Sequence, residues 1–186
     1  LIYIADENGV TLVYDGVTNA LTTEISVGAS TAGASWDLAV DPRQNRIYIA
    51  NGGGTFIAID GTTNTVLQTV GISGIPLGVA LNPTTNRIYV TNYTGTVTVI
   101  DATTYSVITT LQAGYIASGL SVDPNTNLVY VANQGSNTVS VISDGAPLGA
   151  DLSIAESASP NSVTVGSNLM YTDVITNGGP SNATNV

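Results

Sequence analysis

The chain has no cysteine and no histidine, and its three basic residues, Arg43, Arg46 and Arg87, are all arginines. Without cysteine there can be neither a disulfide nor a thiolate-bound metal. In a secreted protein that argues for a large β core or a prokaryotic surface origin over a small stapled scaffold. Without histidine, Ser-His-Asp and Cys-His catalysis, imidazole-bound metals and histidine-ligated haem are excluded. Hydrolysis by carboxylates alone would need two acids facing each other about 5–9.5 Å apart in a cleft, and no sequence pair signals that geometry. Charge of either sign is scarce, at 9% of residues, and 13 acids against 3 bases leave a net charge of −10. Such a field repels phosphate backbones and excludes nucleic acid as a partner. No apolar run approaches the roughly 20 residues of a membrane span, so no transmembrane segment is expected. No basic region followed by an apolar core opens the chain. Leu1 reads as a strand already under way, and the chain is expected to be a piece of something longer.

What is present is repetition. Ile2-Tyr3-Ile4-Ala5-Asp6 returns as Ile47-Tyr48-Ile49-Ala50-Asn51, Ile88-Tyr89-Val90-Thr91-Asn92 and Val129-Tyr130-Val131-Ala132-Asn133, the tyrosines lying 45, 41 and 41 residues apart. A period near forty, written in β-branched residues, marks a four-stranded unit of the propeller kind. The third repeat is the cleanest. Leu77–Leu81, Arg87–Asn92, Thr96–Asp101 and Ser106–Leu111 read as strands, separated by short segments rich in Asn, Pro, Thr and Gly. Connections this short join antiparallel neighbours, so each unit is a meander. Asp41-Pro42, Asn82-Pro83 and Asp123-Pro124 recur at the same place, where the side chain caps the backbone ahead and Pro presets φ. Asp15, Asp60 and Asp101 end the third strand of each copy, with Ser143 in the fourth. These recurring acids read as turn caps, not as catalysts or metal ligands. Small residues mark the innermost strand (Ala39, Gly78, Ala80, Gly119, Ser121), while the outermost, Asn64–Val70 and Tyr105–Leu111, are polar. That gradient favours crowded blades over a flat sheet.

The run from Asn82 through Arg87-Ile88-Tyr89-Val90-Thr91-Asn92 to Gly95-Thr96-Val97-Thr98-Val99-Ile100-Asp101 resembles the YVTN-type β-propeller repeat of archaeal and bacterial surface-layer and secreted proteins. The resemblance covers residues 1–143. Repeat one departs from it by four extra residues within Gly28–Ser35, and repeat four by one in Gln134–Asn137. Residues 144–150 read as a linker. Residues 151–186, with Ala150-Asp151-Leu152, Ser159-Pro160, Val165-Gly166, Tyr171-Thr172 and Asn177-Gly178-Gly179-Pro180-Ser181, resemble the N-terminal part of an Ig-like β-sandwich module common in prokaryotic surface proteins, domain of unknown function eleven. The expected fold is therefore all-β: two complete and two partial blades, then a partial Ig-like sandwich. Propellers of this type often close with a strand from the N-terminal end, so the chain is not expected to close as a monomer without further sequence or neighbours.

Candidate sites are few. Trp36, Asp37, Tyr93 and Tyr115 could form a carbohydrate-stacking patch on the loop face; the plainer reading makes Trp36 a plug at the end of a central channel. Asp6 and Glu7 could hold Ca²⁺ through oxygen ligands, although Asp6-Glu7-Asn8-Gly9 also reads as a plain hairpin turn. Gly52-Gly53-Gly54 is a tight turn with no Lys following, not a phosphate loop. Asn92 and Asn182 match the N-glycosylation acceptor pattern, and Asn92 is expected on an exposed turn. The resemblance and composition imply a non-enzymatic extracellular structural or adhesive protein of an archaeal or bacterial cell surface, in a surface layer, sheath or filament. Self-association or neighbouring domains are its expected partners. A propeller that binds glycans or Ca²⁺ through its loop face is the alternative, and an enzyme the least supported class. No resident cofactor is expected beyond a possible Ca²⁺.

Overall fold

The computed structural model describes residues 1–6, 8–28, 35–144, 152–159, 164 and 166–177. Every regular element among them is a β-strand. The chain divides into two compact units, Leu1–Ile142 and Ser143–Val186.

In the first unit, consecutive strands pair as antiparallel meanders. Sheet one is β1 (Ile2–Ala5), β2 (Val10–Tyr14) and β3 (Leu21–Ser26). Sheet two is β4 (Ser35–Asp41), β5 (Arg46–Asn51), β6 (Thr55–Asp60) and β7 (Thr65–Gly71), and sheet three repeats it as β8 (Pro76–Asn82), β9 (Arg87–Asn92), β10 (Thr96–Asp101) and β11 (Val107–Gln112). Sheet four is β12 (Ala117–Asp123), β13 (Leu128–Asn133) and β14 (Thr138–Ser143). Three, four, four and three strands is the count read from the repeat.

Turn chemistry sets the strand bounds. Asp15, Asp60 and Asp101 each accept two backbone N–H bonds from the residues two and three ahead, at 2.7–3.2 Å. The chain then reverses through a left-handed residue four positions on: Asn19 (φ 55°), Asn64 (φ 56°) and Tyr105 (φ 57°). Asparagine tolerates that conformation because its short polar side chain bonds locally, whereas Tyr105 bears a cost of about 1–2 kcal/mol. These reversals also correct the expected outer strands. They begin at Thr65 and Val107, not at Asn64 and Tyr105, because the left-handed residue belongs to the turn. Asp41, Asn82 and Asp123 cap the Pro-containing turns, each accepting at 2.9 Å from the N–H two residues ahead.

Three cores hold the unit together, one at each joint between successive sheets. Val13, Ile25 and Val27 of the first sheet and its exit, with Tyr3, pack on Ile47, Ile49, Ile57 and Ile59. Tyr48, Ala50, Phe56 and Ala58 pack on Val79, Ile88, Val90 and Ile100. Tyr89, Val97 and Val99 pack on Ala117, Val129 and Val131. The middle strands of sheets two and three are therefore buried on both faces, and β7 and β11 run exposed along the outside. Close packing at the joint between sheets three and four needs glycine in β8: a Cβ on Gly78 would lie 2.6 Å from the Ser118 carbonyl and 2.9 Å from Leu120 Cδ2.

Two β-bulges per full sheet escaped the sequence reading. One lies between the first two strands, between Ser35 and Asp37 and again between Pro76 and Gly78. The other lies between the last two, at Ala58/Ile59 and Val99/Ile100. Sheet one has the second of these at Val13/Tyr14, and sheet four the first, between Ala117 and Leu120. A bulge adds a residue to one strand and sharpens the local twist, which lets successive sheets meet face to face.

In the second unit, β15 (Leu152–Ser159) and β16 (Met170–Asn177) pair antiparallel from Leu152↔Asn177 to Ser159↔Met170. No helix among the described residues is long and apolar enough to cross a membrane.

Candidate functional site

Two exposed aromatics meet where Tyr93 approaches Tyr115. Tyr93 occupies the β9–β10 turn, which closes through Gly95 (φ 86°) donating to the Asn92 carbonyl at 3.0 Å. Its own N–H bonds the Ile75 carbonyl at 2.9 Å and so holds the turn against the β7–β8 connection. Tyr115 lies in the β11–β12 connection. Its N–H donates to Ser136 Oγ at 2.7 Å, and its carbonyl accepts from Gly135 N at 2.9 Å. A Cβ at position 135 would come within 2.5 Å of the Tyr115 ring, so the ring would have to shift for any residue but glycine. The next residue, Ile116, has φ 52°, a strained conformation for a β-branched side chain. The rings meet edge to face, with centroids 6.0 Å apart and planes at 69°, an arrangement the ring quadrupoles favour. Hydrogen bonding with Tyr93, then its charge and burial, raises the Tyr115 phenol above its ordinary value. The result is a rigid aromatic corner with both rings open to solvent.

Asp37 does not present a free carboxylate to this corner. Its Oδ1 accepts from Leu38 N at 2.9 Å and its Oδ2 from Val79 N at 3.0 Å, so it clasps β4 to β8. Thr91 makes a comparable clasp at the next joint, its Oγ1 bonding the Ser118 carbonyl. The Trp36 side chain lies outside the described residues. Its backbone falls at the β4 bulge, the register place of Leu77 in sheet three.

Asp6 closes its own turn, accepting from Asn8 N and Asn8 Nδ2, both at 2.8 Å. Glu7 lies outside the described residues, among which no group of three or more acidic or other metal-ligating side chains converges. Asn182 is also outside them.

Asn92 requires a correction. It is not on an exposed turn but is the last residue of β9, and its side chain is fully buried. The nitrogen that would carry a glycan donates to Thr98 Oγ1 at 3.5 Å. The exposed residues of that turn are its neighbours, Tyr93 and Thr94.

The recurring acids stay within their turns. Backbone N–H groups hold the Asp15, Asp60, Asp101 and Asp123 carboxyls below their ordinary values, and Arg46 Nη1 adds an ion pair to Asp60 at 2.9 Å. The sequence reading missed a groove that recurs at two joints. It is lined by Gly53, Thr55, Val66 and Thr69, with a volume of about 450 Å³, and again by Thr94, Thr96, Val107 and Thr110, at about 440 Å³. The 41-residue offset between these two sets was available as a signal, but only folding places an outer strand beside the previous sheet's exit.

No protein-family model matches the chain, and no curated protein is significantly similar to it.

Proposed function

We propose that Leu1–Ile142 is an arc of β-propeller blades of the YVTN type, followed by the start of an Ig-like module. In this reading the chain is a non-enzymatic structural or adhesive protein of a prokaryotic cell surface. The observation that carries it is the joint between sheets, made three times from equivalent residues of one repeated meander. Stacking of that kind is what blades around an axis require. The β15–β16 pair is compatible with the opening of a sandwich. The surface role follows from the sequence resemblance and from a side-chain inventory without His, Cys or Lys. Acids tied into turns and clasps serve rigidity rather than turnover. Negative-stain imaging of native material is the test: discrete wheels or ordered arrays support the reading, and an elongated flat sheet refutes it.

The Tyr93–Tyr115 corner favours a second reading, a module that stacks sugar rings on exposed aromatics. A glycan array run beside the Tyr93→Ala and Tyr115→Ala variants separates the two. Binding that both variants abolish would establish the module. Melting with and without EDTA tests a Ca²⁺ requirement at Asp6 and Glu7, where an unchanged midpoint removes the cation.

A further inference from the structure

Tyr93 and Tyr115 stand where the preceding repeat has two glycines. Counting back 41 residues from each gives Gly52 and Gly74, so both phenols enter the chain at one corner. The backbone fixes each ring from its own side. The Tyr93 N–H is held by the Ile75 carbonyl at 2.9 Å. Its turn lies so close to the β11–β12 connection that a Cβ on Gly95 would come 3.0 Å from the Gly114 carbonyl. Tyr115 is held by Ser136 Oγ and by Gly135 N. Ile116 behind it is kept at φ 52°, a strain that the surrounding contacts must offset. The ring centroids are 6.0 Å apart, and the two residues are 42% and 56% exposed. An edge-to-face contact at that separation sets an edge carbon of one ring against the other. Joining two ring carbons therefore needs rotation of the side chains rather than a new approach of the backbones.

We propose that this corner is an oxidative modification site, at which Tyr93 and Tyr115 of one chain are joined through their ortho carbons as a dityrosine. The co-reactant is hydrogen peroxide acting through a haem peroxidase. Each phenol gives up one electron and one proton, and the two tyrosyl radicals combine in a new carbon–carbon bond. Transfer of each ortho hydrogen to oxygen then restores both phenols. The pair has lost two hydrogen atoms, and one peroxide has been reduced to two waters. The chain has no thiol to quench the radicals, and only Met170 and Trp36 represent the other readily oxidised side chains. Tyr48 and Tyr89 are buried and out of competition. The link would span 22 residues (115−93) and tie the β9–β10 turn to the β11–β12 connection. It restricts the unfolded chain as a disulfide does, in a sequence without the cysteines to make one. It needs neither a closed ring of blades nor a ligand, and so stands independently of the function proposed above.

The experiment treats the whole folded chain with a haem peroxidase and dilute hydrogen peroxide. In parallel it uses light, a ruthenium tris-bipyridyl complex and persulfate, a one-electron oxidant that requires no enzyme to reach the rings. The monomer should gain the blue fluorescence of dityrosine and lose the mass of two hydrogens. After unfolding, an endoprotease that cuts before aspartate parts Tyr93 from Tyr115 at Asp101, so a linked pair leaves those two fragments joined. Tyr93→Phe and Tyr115→Phe keep both rings in place and should each abolish the joined product. Tyr130→Phe removes a phenol of like exposure, 41%, and should leave the yield unchanged. The linked chain should melt several degrees above its parent, and an equal midpoint would overturn the clasping role. If neither oxidant joins the two fragments, or if the joined product survives either the Tyr93 or the Tyr115 substitution, the site itself is overturned.

Discussion

Tyr3 and Tyr48 hold the same place in consecutive repeats, and removing their hydroxyls should have opposite effects. Tyr3 Oη donates to Asn64 Oδ1 at 2.8 Å, with the Gly61 carbonyl at 3.3 Å, so the first sheet is tied to the β6–β7 turn of the second. One joint further on, the equivalent of Asn64 is Tyr105. The Tyr48 hydroxyl is fully buried and has no hydrogen-bond partner among the described residues. Burial, then the neighbouring Tyr105, pushes its phenol upward. A made hydrogen bond contributes about 1 kcal/mol net, whereas a buried unsatisfied hydroxyl costs about 1–3 kcal/mol. Tyr3→Phe should therefore destabilise by about 1 kcal/mol, and Tyr48→Phe should stabilise by about 1 kcal/mol because the ring and its packing on Phe56 at 5.8 Å are kept. In a unit of this size each kcal/mol moves the melting midpoint by roughly 2–4 °C. Thermal melts followed by circular dichroism, repeated in urea, give both values on one scale. A Tyr48→Phe protein that melts below the parent would refute the reasoning, because its hydroxyl would then have a partner.

Glycine substitutions should separate a filled joint from an open face. Gly78→Ala should cost about 1–3 kcal/mol by overpacking against the Ser118 carbonyl and Leu120. Gly119→Ala, with no atom within 4 Å of its new Cβ, should stay within about 0.5 kcal/mol of the parent in urea unfolding. The Asp15, Asp60, Asp101 and Asp123 carboxyls titrate below their ordinary values in the folded state. Their stabilisation is fully present above the unfolded value of about 3.9 and is lost as pH falls through the lower folded values. Melting midpoints should hold from neutrality to about pH 5 and decline below about pH 4, and replacing all four acids with Asn should flatten that decline. A slope unchanged in the fourfold variant would place the acid sensitivity elsewhere. Tyr105→Asn should supply the acceptor that Tyr48 lacks and ease the left-handed strain. The part of its gain that comes from the acceptor should disappear in the Tyr48→Phe background, leaving only the part from eased strain.

The meander was legible because its determinants are local. Arg87–Asn92 and Thr96–Asp101 are strands at the expected bounds, since alternation and turn residues act within a few positions of each other. The outer strands were misplaced by a residue or two because nothing in the sequence separates a left-handed tyrosine from the first residue of a strand. The aromatic corner was half legible. Tyr93 and Tyr115 do meet, but Asp37 is engaged by Val79, a residue from the next repeat. Asn92 misled because an acceptor pattern records neighbours along the chain, whereas its burial arises at the end of a strand covered by the adjoining segments.

By itself the amino-acid order determined the repeated strands, their turns, the all-β class and the exclusion of histidine- and cysteine-dependent chemistry. Tertiary structure alone decided which strands are buried on both faces, where the bulges fall and which tyrosine hydroxyl finds an acceptor. Strand and turn formation is governed by contacts a few residues apart. The joints depend on side chains about forty to sixty residues apart, whose meeting is set by sheet twist and packing.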